Sequence, residues 1–297
     1  MKTRVISAAV IIAIVGAFLV LGFTVSPYFI TAFLIFLSVA GAYELLHRAA
    51  GIESRLAYIG GMIATGLMTL FSDINVMKFM RKCAEKTFAD KIYIARLFKA
   101  AGYMGRLYVS VAFFLFAAFV ILAKHKEFDL AKTVTFAAFP KVLSLGFSCM
   151  GRLVEGKNGV YHLFLLVTFA CICDTGAYFV GVFAGKHKLC PEISPKKTVE
   201  GAIGGIVSTV VVTVIIVLIF NSREPMSLRK IISTVILSMP LSIIGMAGDL
   251  FASQIKRSVG LKDYSDLIPG HGGILDRFDS MLLIAPAFYM LNLLGAI

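Results

Sequence analysis

Apolar residues occur along this chain in long runs that are separated by short polar segments. Nine of these runs approach or exceed the length needed to cross a membrane, which is roughly 20 helical residues. The runs cover residues 5–23, 27–46, 56–71, 108–123, 131–150, 161–184, 202–220, 231–251 and 281–297. They lack the period-two alternation of a membrane-spanning barrel. We therefore predict an all-α fold, a polytopic transmembrane bundle of about nine helices.

The first apolar run follows Lys2 and Arg4, as the apolar part of a secretion signal does. The run is longer than a signal requires, and no small-residue cleavage site stands before the next polar joint, so we expect a retained helix. We divide the sequence into amino-terminal spans with a basic, interfacial connection, residues 1–107, and a carboxyl-terminal helical bundle, residues 108–297. The second part carries the candidate chemistry.

The composition is that of a membrane protein with a basic surplus. Apolar residues make up 59% and charged residues 15% of the chain, whereas soluble domains carry about 25% charge. The net charge of +12 suggests nucleic acid or anionic lipid as a partner. With the amino terminus inside, the inner joints hold fourteen Lys and Arg and the outer joints five, if residues 72–107 are set aside. This bias favours orientation in a lipid bilayer and argues against nucleic acid.

The connection over residues 72–107 does not fit this orientation, because it alone contains eight basic residues on the outer side. Met77, Met80, Ala84 and Phe88 recur at helical spacing within it. We interpret the segment as an amphipathic helix that lies in the membrane interface. A miscounted span before the connection is the alternative.

Polar residues with candidate chemistry concentrate between the eighth and ninth runs. Asp249, Ser253 and Lys256 are spaced i, i+4 and i+7, so a helix would place them on one face. Asp276 and Asp279 can share a face at the start of the ninth helix. Carboxylates near Lys and Arg suit a Mg²⁺-triphosphate site, because Mg²⁺ takes oxygen ligands and cations neutralise the remaining charge. An ordinary loop with helix-capping aspartates is the alternative.

Two further features fit the same kind of site. Glycines surround His271 on both sides, and glycine lets the backbone approach an oxyanion closely. Asp174 stands in the middle of an apolar run, where an ionisable group is costly and by default suggests function. A structural aspartate that caps a broken helix is the alternative for Asp174.

A basic segment precedes the seventh run and contains Ser194, Lys196, Lys197 and Thr198. We interpret it as a turn that opens a helix, because helix amino termini attract phosphate and the two lysines add positive charge. Positive-inside bias explains the lysines equally well.

Gly201 and Gly205 form a GxxxG spacing at the beginning of the seventh run. We assign this pair to helix packing rather than to chemistry. The same small-residue face permits a homodimer, but it can equally pack within one chain.

In these motifs the chain resembles the phosphatidate cytidylyltransferase family, the CDP-diacylglycerol synthases. The family's pattern combines a Ser, a Lys-Arg pair, a Lys-Asp pair, a His-Gly-Gly and an Asp-Arg-x-Asp, and every fixed position is matched from Ser253 to Asp279. The segments Asp174–Tyr178 and Ser194–Thr198 also look like family motifs. The resemblance covers the carboxyl-terminal half, while the other half matches only as a set of spans.

The resemblance implies an integral membrane nucleotidyltransferase that converts CTP and phosphatidic acid to CDP-diacylglycerol and pyrophosphate in phospholipid biosynthesis. It implies dependence on Mg²⁺ and allows a second, monovalent cation. The catalytic residues would be Asp249, Asp276, Lys256, Arg257 and Arg277. The substrate-binding residues would be Ser194, Lys196, Lys197, Thr198, Ser253, Lys262, His271, Gly272 and Gly273. The metal ligands would come from Asp249, Asp276, Asp279 and Asp174. We expect a multi-pass protein of the cell (inner) membrane with its active site facing the cytoplasm.

Other functions remain open at this point. A CTP-dependent lipid kinase would direct attack at the γ-phosphate and release CDP. A transporter would use Asp174 and Asp249 to relay ions or protons, but transporters often place broken helices in both halves. Here the polar residues lie in one half, which favours an enzyme. The aspartate arrangement of CDP-alcohol phosphotransferases is not found in the sequence.

Overall fold

The computed structural model describes residues 2–73, 76, 91–156 and 158–297, which are almost entirely helical. The helices are α1 (Lys2–Thr24), α2 (Tyr28–Tyr43), α3 (Arg55–Ser72), α4 (Lys91–Ala123), α5 (Leu130–Glu155), α6 (Gly159–Val167), α7 (Cys173–Ala184), α8 (Val199–Arg223), α9 (Leu228–Ser258) and α10 (Leu275–Leu293). A π-helical turn continues α2 over Glu44–Ala49, and another joins α6 to α7 over Thr168–Ile172. The predicted amphipathic helix over residues 77–88 lies outside the described residues.

Five helical stretches in the described ranges are long and apolar enough to cross a membrane. They are Tyr28–Ala49, Leu130–Glu155, Gly159–Ala184, Val199–Arg223 and Leu228–Ser258. Large apolar side chains on these stretches face outward, as lipid-facing residues do; Leu130 is 78% exposed and Phe183 is 85% exposed. The prediction of a polytopic helical membrane protein is therefore confirmed. The count of nine is not, because the other four predicted runs lie on α1, α3, α4 and α10, which do not meet these criteria in the described ranges.

Helix α4 begins at Lys91, well before the fourth predicted span at residue 108. The sequence between these points is rich in Ala, Lys, Arg and Leu, which favour helix whether or not they lie in lipid. The expected connection over residues 72–107 thus contains the polar first part of a helix. Hydropathy alone could not detect this part, because it marks only the apolar portion.

A small antiparallel hairpin interrupts the helices between α7 and α8. Strand β1 (Lys188–Cys190) pairs with β2 (Ser194–Thr198), so that Lys188 lies opposite Thr198 and Cys190 opposite Ser194. The prediction of a turn at Ser194–Thr198 was wrong. Pro195 is compatible with β2 because a two-stranded hairpin consists of edge strands, in which a missing N–H can face outward.

Contacts divide the chain into two compact units. The amino-terminal unit comprises Met1–Arg152 and Asp263–Asp276, and the carboxyl-terminal unit comprises Leu153–Lys262 and Arg277–Ile297. The boundary predicted between residues 107 and 108 falls inside α4. The segment Asp263–Asp276 belongs to the amino-terminal unit although the chain on either side of it belongs to the other.

The amino-terminal unit has an aromatic core centred on Phe136 of α5. The ring of Phe136 lies 5.7 Å from that of Phe113 and 5.5 Å from that of Phe128, both in tilted or edge-on arrangements. Leu46 and Ile52 are fully buried in the same cluster. Burial of these side chains fixes α3, α4 and α5 against one another.

The carboxyl-terminal unit is held together by close packing of α7 on α8. A Cβ atom added to Gly205 would lie 2.6 Å from the carbonyl oxygen of Cys173, and one added to Gly201 would lie 2.6 Å from that of Ala177. These distances leave no room for a side chain. The GxxxG pair therefore serves helix packing within this chain, as predicted.

Candidate functional site

The β-hairpin leads directly into α8, and Thr198 marks the transition. Thr198 is the N-cap of the helix, and its hydroxyl oxygen accepts a hydrogen bond from the Gly201 N–H at 3.1 Å. Alternation along β2 leaves Lys196 exposed and Lys197 half-buried. The two lysines are thus carried by a strand at the start of the helix, rather than by a helical turn.

Glu200, which sequence reasoning did not single out, connects the first turn of α8 to the start of the hairpin. Its carboxylate accepts hydrogen bonds from the backbone N–H groups of Lys186 at 3.0 Å and His187 at 3.2 Å. The Nδ1 atom of His187 lies 2.6 Å from the same carboxylate. An acidic residue in a first helical turn is a common sequence signal, but its partners are not predictable from it.

A cavity of about 590 Å³ opens between the hairpin and helices α7, α8 and α9 of the carboxyl-terminal unit. Its polar lining consists of Asp174, Lys188, Ser194, Lys196, Lys197, Thr198 and Asp249. Residues from α7, from the hairpin and from α9 that the sequence marked separately therefore line one space. Lys188 is an addition, because sequence reasoning counted it only as part of the basic bias of an inner joint.

Charges of both signs meet on the wall of this cavity. The Lys197 ammonium group forms an ion pair with the Asp249 carboxylate, and both side chains remain partly exposed. Asp279, on the first part of α10, interacts electrostatically with Asp249, Lys256 and Asp174. Asp279 lies outside the five candidate spans, and burial together with the nearby Asp249 carboxylate raises its pKa. The carboxylates thus repel one another, while Lys197 and Lys256 offset part of that repulsion.

The donor atoms in this region are of the chemical type that a hard divalent cation prefers. Across the described ranges, no group of three or more His, Cys, Asp or Glu residues is already arranged to hold a metal ion. Asp174, Asp249 and Asp279 nevertheless lie close enough to affect one another's charge. Carboxylate oxygens are the ligands that Mg²⁺ prefers. The assignment of these three residues as metal ligands stays a prediction.

Helix α9 carries the polar stripe that the spacing predicts. Asp249, Ser253 and Lys256 all lie within Leu228–Ser258, and Lys256 is buried although it is a lysine. Arg257 is exposed and donates a hydrogen bond to the Leu261 carbonyl oxygen at 3.0 Å. The prediction of a common helix is confirmed. The catalytic roles of Lys256, Arg257 and the exposed Arg277 stay predictions, as does the substrate-binding role of the exposed Lys262.

Asp276 organises the loop Asp263–Asp276 of the amino-terminal unit. Its Oδ2 atom accepts hydrogen bonds from the Tyr264 N–H at 2.8 Å and the Gly273 N–H at 2.9 Å. Gly272 has a φ of +79°, a backbone conformation that favours glycine. One carboxylate oxygen of Asp276 is therefore used within the loop, and its role as a metal ligand stays a prediction.

His271 is held from the first helix. The Ser7 hydroxyl of α1 lies 2.8 Å from His271 Nδ1 and donates to the Pro269 carbonyl oxygen at 2.8 Å. The backbone N–H of His271 donates a hydrogen bond to the Ile268 carbonyl oxygen within the same loop. The Ser7 hydroxyl thus holds the ring from outside the segment in which the sequence pattern lies.

Glu44, at the end of α2, is a second residue that sequence reasoning missed. It is 1% exposed, and its carboxylate accepts hydrogen bonds from Ser265 Oγ at 2.6 Å, Ile274 N–H at 2.8 Å and Leu275 N–H at 2.9 Å. A lone acidic residue at the end of an apolar run was the available signal. The Gly273 N–H bonds to the Asp276 carboxylate, and the N–H groups of Ile274 and Leu275 bond to Glu44. All three backbone N–H groups therefore already have a carboxylate as partner. The expectation that the glycines around His271 let the backbone approach an oxyanion stays a prediction, although the Gly273 N–H itself already bonds to Asp276.

Comparison with known proteins identifies the family. The model of the cytidylyltransferase family matches residues 2–294. A phosphatidate cytidylyltransferase of Bacillus subtilis (strain 168) is 37% identical over 185 residues, 61% of this chain and 65% of that protein. One of Staphylococcus aureus (strain COL) is 41% identical over 140 residues, 47% of this chain and 50% of that protein. The chain thus matches less than two thirds of the length of these relatives. It belongs to the cytidylyltransferase family.

Proposed function

We propose that this membrane protein transfers the cytidylyl group of CTP to phosphatidic acid, which gives CDP-diacylglycerol and pyrophosphate for phospholipid biosynthesis. The observation that carries the proposal is the cavity in which Asp174 and Asp249 share a lining with Lys188, Lys196 and Lys197. Membership of the family and the names of the relatives support this choice of reaction.

The chemistry requires little proton transfer. The phosphomonoester of phosphatidic acid has a second pKa near ~6 by analogy with phosphoserine, so it is largely an oxyanion at neutral pH. One of its oxygens attacks the α-phosphorus of CTP and forms a new P–O bond. The bond from the α-phosphorus to the oxygen that bridges it to the β-phosphorus breaks, and pyrophosphate leaves with the electron pair. No general base is needed.

The task of the protein is then to hold two anions together and to stabilise their charge in the transition state. The cavity volume of about 590 Å³ falls within the roughly 300–1,000 Å³ of typical small-molecule pockets. Lys188, Lys196 and Lys197 would neutralise phosphate oxygens, and the hydroxyl groups of Ser194 and Thr198 would donate hydrogen bonds to them. The further cations Lys256, Arg257, Lys262 and Arg277 are proposed to act on the same phosphates.

We propose that Mg²⁺ is bound by Asp249, together with Asp279 and Asp174 and with Asp276 as a further candidate. When bound, the ion would offset the negative charge of the triphosphate and of the leaving pyrophosphate. The mutual repulsion of Asp174, Asp249 and Asp279 supports this role, because clustered carboxylates favour binding of a cation.

We propose that the cavity faces the cytoplasm of a cell (inner) membrane, where CTP is available. The excess of Lys and Arg in the joints assigned to the inside supports this orientation. A homodimer also stays a proposal. Helix α7 of the same chain already packs against Gly201 and Gly205, so a second copy would use a different surface.

Labelled CTP tests the reaction directly. Detergent-solubilised protein is incubated with phosphatidic acid and with CTP that carries a radiolabel at either the α- or the γ-phosphate, with and without Mg²⁺. We expect the α-label in the lipid, the γ-label in pyrophosphate, and transfer only when Mg²⁺ is present. Recovery of the γ-label in the lipid would instead identify a lipid kinase. Absence of any transfer, combined with ion flux in reconstituted vesicles, would favour a transporter.

A further inference from the structure

Glu44 is a buried carboxylate that lies far in sequence from the residues it contacts. It begins the π-helical turn Glu44–Ala49 and is almost completely removed from solvent. A carboxylate is costly to bury unless several donors compensate it. Glu44 has three, the Ser265 hydroxyl and the N–H groups of Ile274 and Leu275, all within 2.9 Å. Each belongs to the loop Asp263–Asp276 or to its last turn.

Glu44 also accounts for one glycine of the loop. A Cβ atom added to Gly273 would lie 2.6 Å from each carboxylate oxygen of Glu44 and 2.7 Å from its Cδ atom. Such a contact is too short for any real side chain. A side chain at residue 273 would therefore push the Glu44 carboxylate away from the N–H groups from which it accepts.

Together, Glu44 and Asp276 satisfy the backbone at the beginning of α10. The first amides of a helix have no partner within the helix and need an external acceptor. Here the Gly273 N–H is bound by Asp276, and those of Ile274 and Leu275 are bound by Glu44. The beginning of α10 is thus defined by a carboxylate from a different helix.

The loop is covalently continuous with two helices that carry proposed site residues. Asp249 lies on α9, which precedes the loop, and Asp279 lies about one turn after Leu275 on α10. A change at the start of α10 is therefore a change at the start of the helix that carries Asp279.

We propose that Glu44 is a positioning residue of the proposed reaction, and that its carboxylate sets the shape of the loop Asp263–Asp276 and the start of α10. The proposal rests on the proposed function for its effect on turnover. It does not require Glu44 to touch a substrate, because its oxygens are already bonded to the loop.

The first test replaces Glu44 by Gln, which keeps the size of the side chain. The Gln carbonyl can accept from one amide, but its NH₂ group then faces another donor. We expect hydrogen exchange at residues 274 and 275 to become at least about tenfold faster, as loss of a charged buried hydrogen bond implies. We also expect kcat to fall at least about tenfold with a smaller change in KM, because positioning affects the transition state more than binding.

Glu127→Gln is the matched control. Glu127 is another carboxylate of the amino-terminal unit that accepts two backbone hydrogen bonds, from the N–H groups of Glu53 and Ser54, both of which lie outside the loop. Exchange at residues 274 and 275 and kcat should remain at wild-type values in this variant. Wild-type exchange, or wild-type kcat, in Glu44→Gln would overturn the proposal.

A second test does not depend on how well Glu44→Gln folds. Gly273→Ala should lower activity at least about tenfold, because the new methyl group overlaps the Glu44 carboxylate. In a Glu44→Ala background that space is empty, so adding Gly273→Ala should cause little further loss. Fully additive losses would overturn the proposal.

The exchange measurement separates this proposal from the proposed function. Suppose that wild-type protein transfers no label from CTP, but that hydrogen exchange at residues 274 and 275 is still faster in Glu44→Gln. The reaction is then wrongly assigned, and the loop-shaping role of Glu44 stands. If label is transferred and the amides stay protected in Glu44→Gln, the reaction stands and the role of Glu44 is overturned.

Discussion

The ammonium group of Lys197 and the carboxylate of Asp249 form an ion pair on the cavity wall, with 25% and 24% of their side chains exposed. The exposed part belongs to the rest of the Lys197 side chain, because its ammonium nitrogen is buried beside Asp249. Both residues line the cavity. The pair thus sets two opposite charges side by side on one wall, where the proposed reaction needs a cation for phosphate and a carboxylate for a metal ion.

Replacement of Asp249 by Asn should lower cytidylyl transfer at least about 100-fold, which is typical for loss of a charged group that stabilises a transition state. The amide is nearly isosteric, so the thermal midpoint should change little. Incorporation of α-labelled CTP into lipid and a thermal melt in detergent measure the two effects. Asp129→Asn, which alters an aspartate of the other unit that accepts a local hydrogen bond from the Lys132 N–H, is the control. Near-normal transfer by Asp249→Asn would show that Asp249 has no role in the proposed reaction.

Lys197 and Asp249 should show strong coupling in a double-mutant cycle. Lys197→Met should raise the KM for CTP about tenfold or more, because one charge-assisted phosphate contact is lost. In an Asp249→Asn background the same change should cost less, since the two residues form one unit. Lys132→Met, which removes a lysine that donates to the Gly51 carbonyl oxygen in the other unit, should leave KM unchanged. Independent, additive effects of the two substitutions would contradict the pairing.

The protein should become less stable as the pH rises, because Asp279 loses its proton. Burial and the Asp249 carboxylate raise its folded pKa above the unfolded value, so the native state holds this proton more tightly than the unfolded state does. The free energy of unfolding therefore decreases between the ordinary Asp pKa and the raised one. In cation-free, mildly alkaline buffer, Asp279→Asn should melt at a higher temperature than wild type while it transfers less cytidylyl. Asp129→Asn should follow the wild-type pH curve. An Asp279→Asn midpoint that falls with pH as steeply as the wild-type midpoint would contradict this prediction.

Gly205→Ala should destabilise the carboxyl-terminal unit by about 1–3 kcal/mol, the usual cost of overpacking. The added methyl group would lie 2.6 Å from the Cys173 carbonyl oxygen, which is part of the backbone and cannot easily move. Gly16→Ala is the matched control, because a Cβ atom at this helical glycine has nothing within 4 Å. Thermal melts of the two variants in detergent give the comparison. Equal midpoints would mean that α7 and α8 can separate without cost.

Glu200→Gln should loosen the β-hairpin. The amide side chain cannot accept as well from the backbone N–H groups of Lys186 and His187, so the segment before β1 loses its anchor. Limited trypsin digestion should then cut faster after Lys186 and Lys188. Glu224→Gln, which changes an exposed residue at the other end of α8, should digest like wild type. Unchanged cleavage in Glu200→Gln would show that the hairpin does not depend on this contact.

The helices, and several of the residues that line the cavity, were predictable because their signals are local. Apolar runs mark the helices, and the spacing of Asp249, Ser253 and Lys256 marks one helix face whatever the rest of the chain does. The polar beginning of α4 was not predictable from hydropathy, because that portion has helix-forming residues but no apolar run. The strand Ser194–Thr198 was missed because a short polar segment with one proline has no distinct periodicity.

The contacts of Glu44 and Glu200 were not predictable for a different reason. Each residue acts through hydrogen bonds to backbone groups, and the backbone is the same at every position of the sequence. Only the fold brings Glu44 to the amides of Ile274 and Leu275, more than two hundred residues away. A lone acidic residue in an apolar run indicates that some compensation exists, but it does not say where.

The carboxylates at the start of α10 also limit how the proposed reaction could use this part of the backbone. Since the N–H groups of residues 273–275 already bond to Asp276 and Glu44, they are not free to bind a phosphate, and the proposed phosphate contacts fall to side chains such as Lys196 and Lys197. Their attraction is screened over about 8–10 Å at ordinary ionic strength, so substrate affinity should weaken as salt is added. An ammonium group also recognises charge rather than molecular shape. Discrimination among nucleotides therefore falls to the rest of the cavity lining.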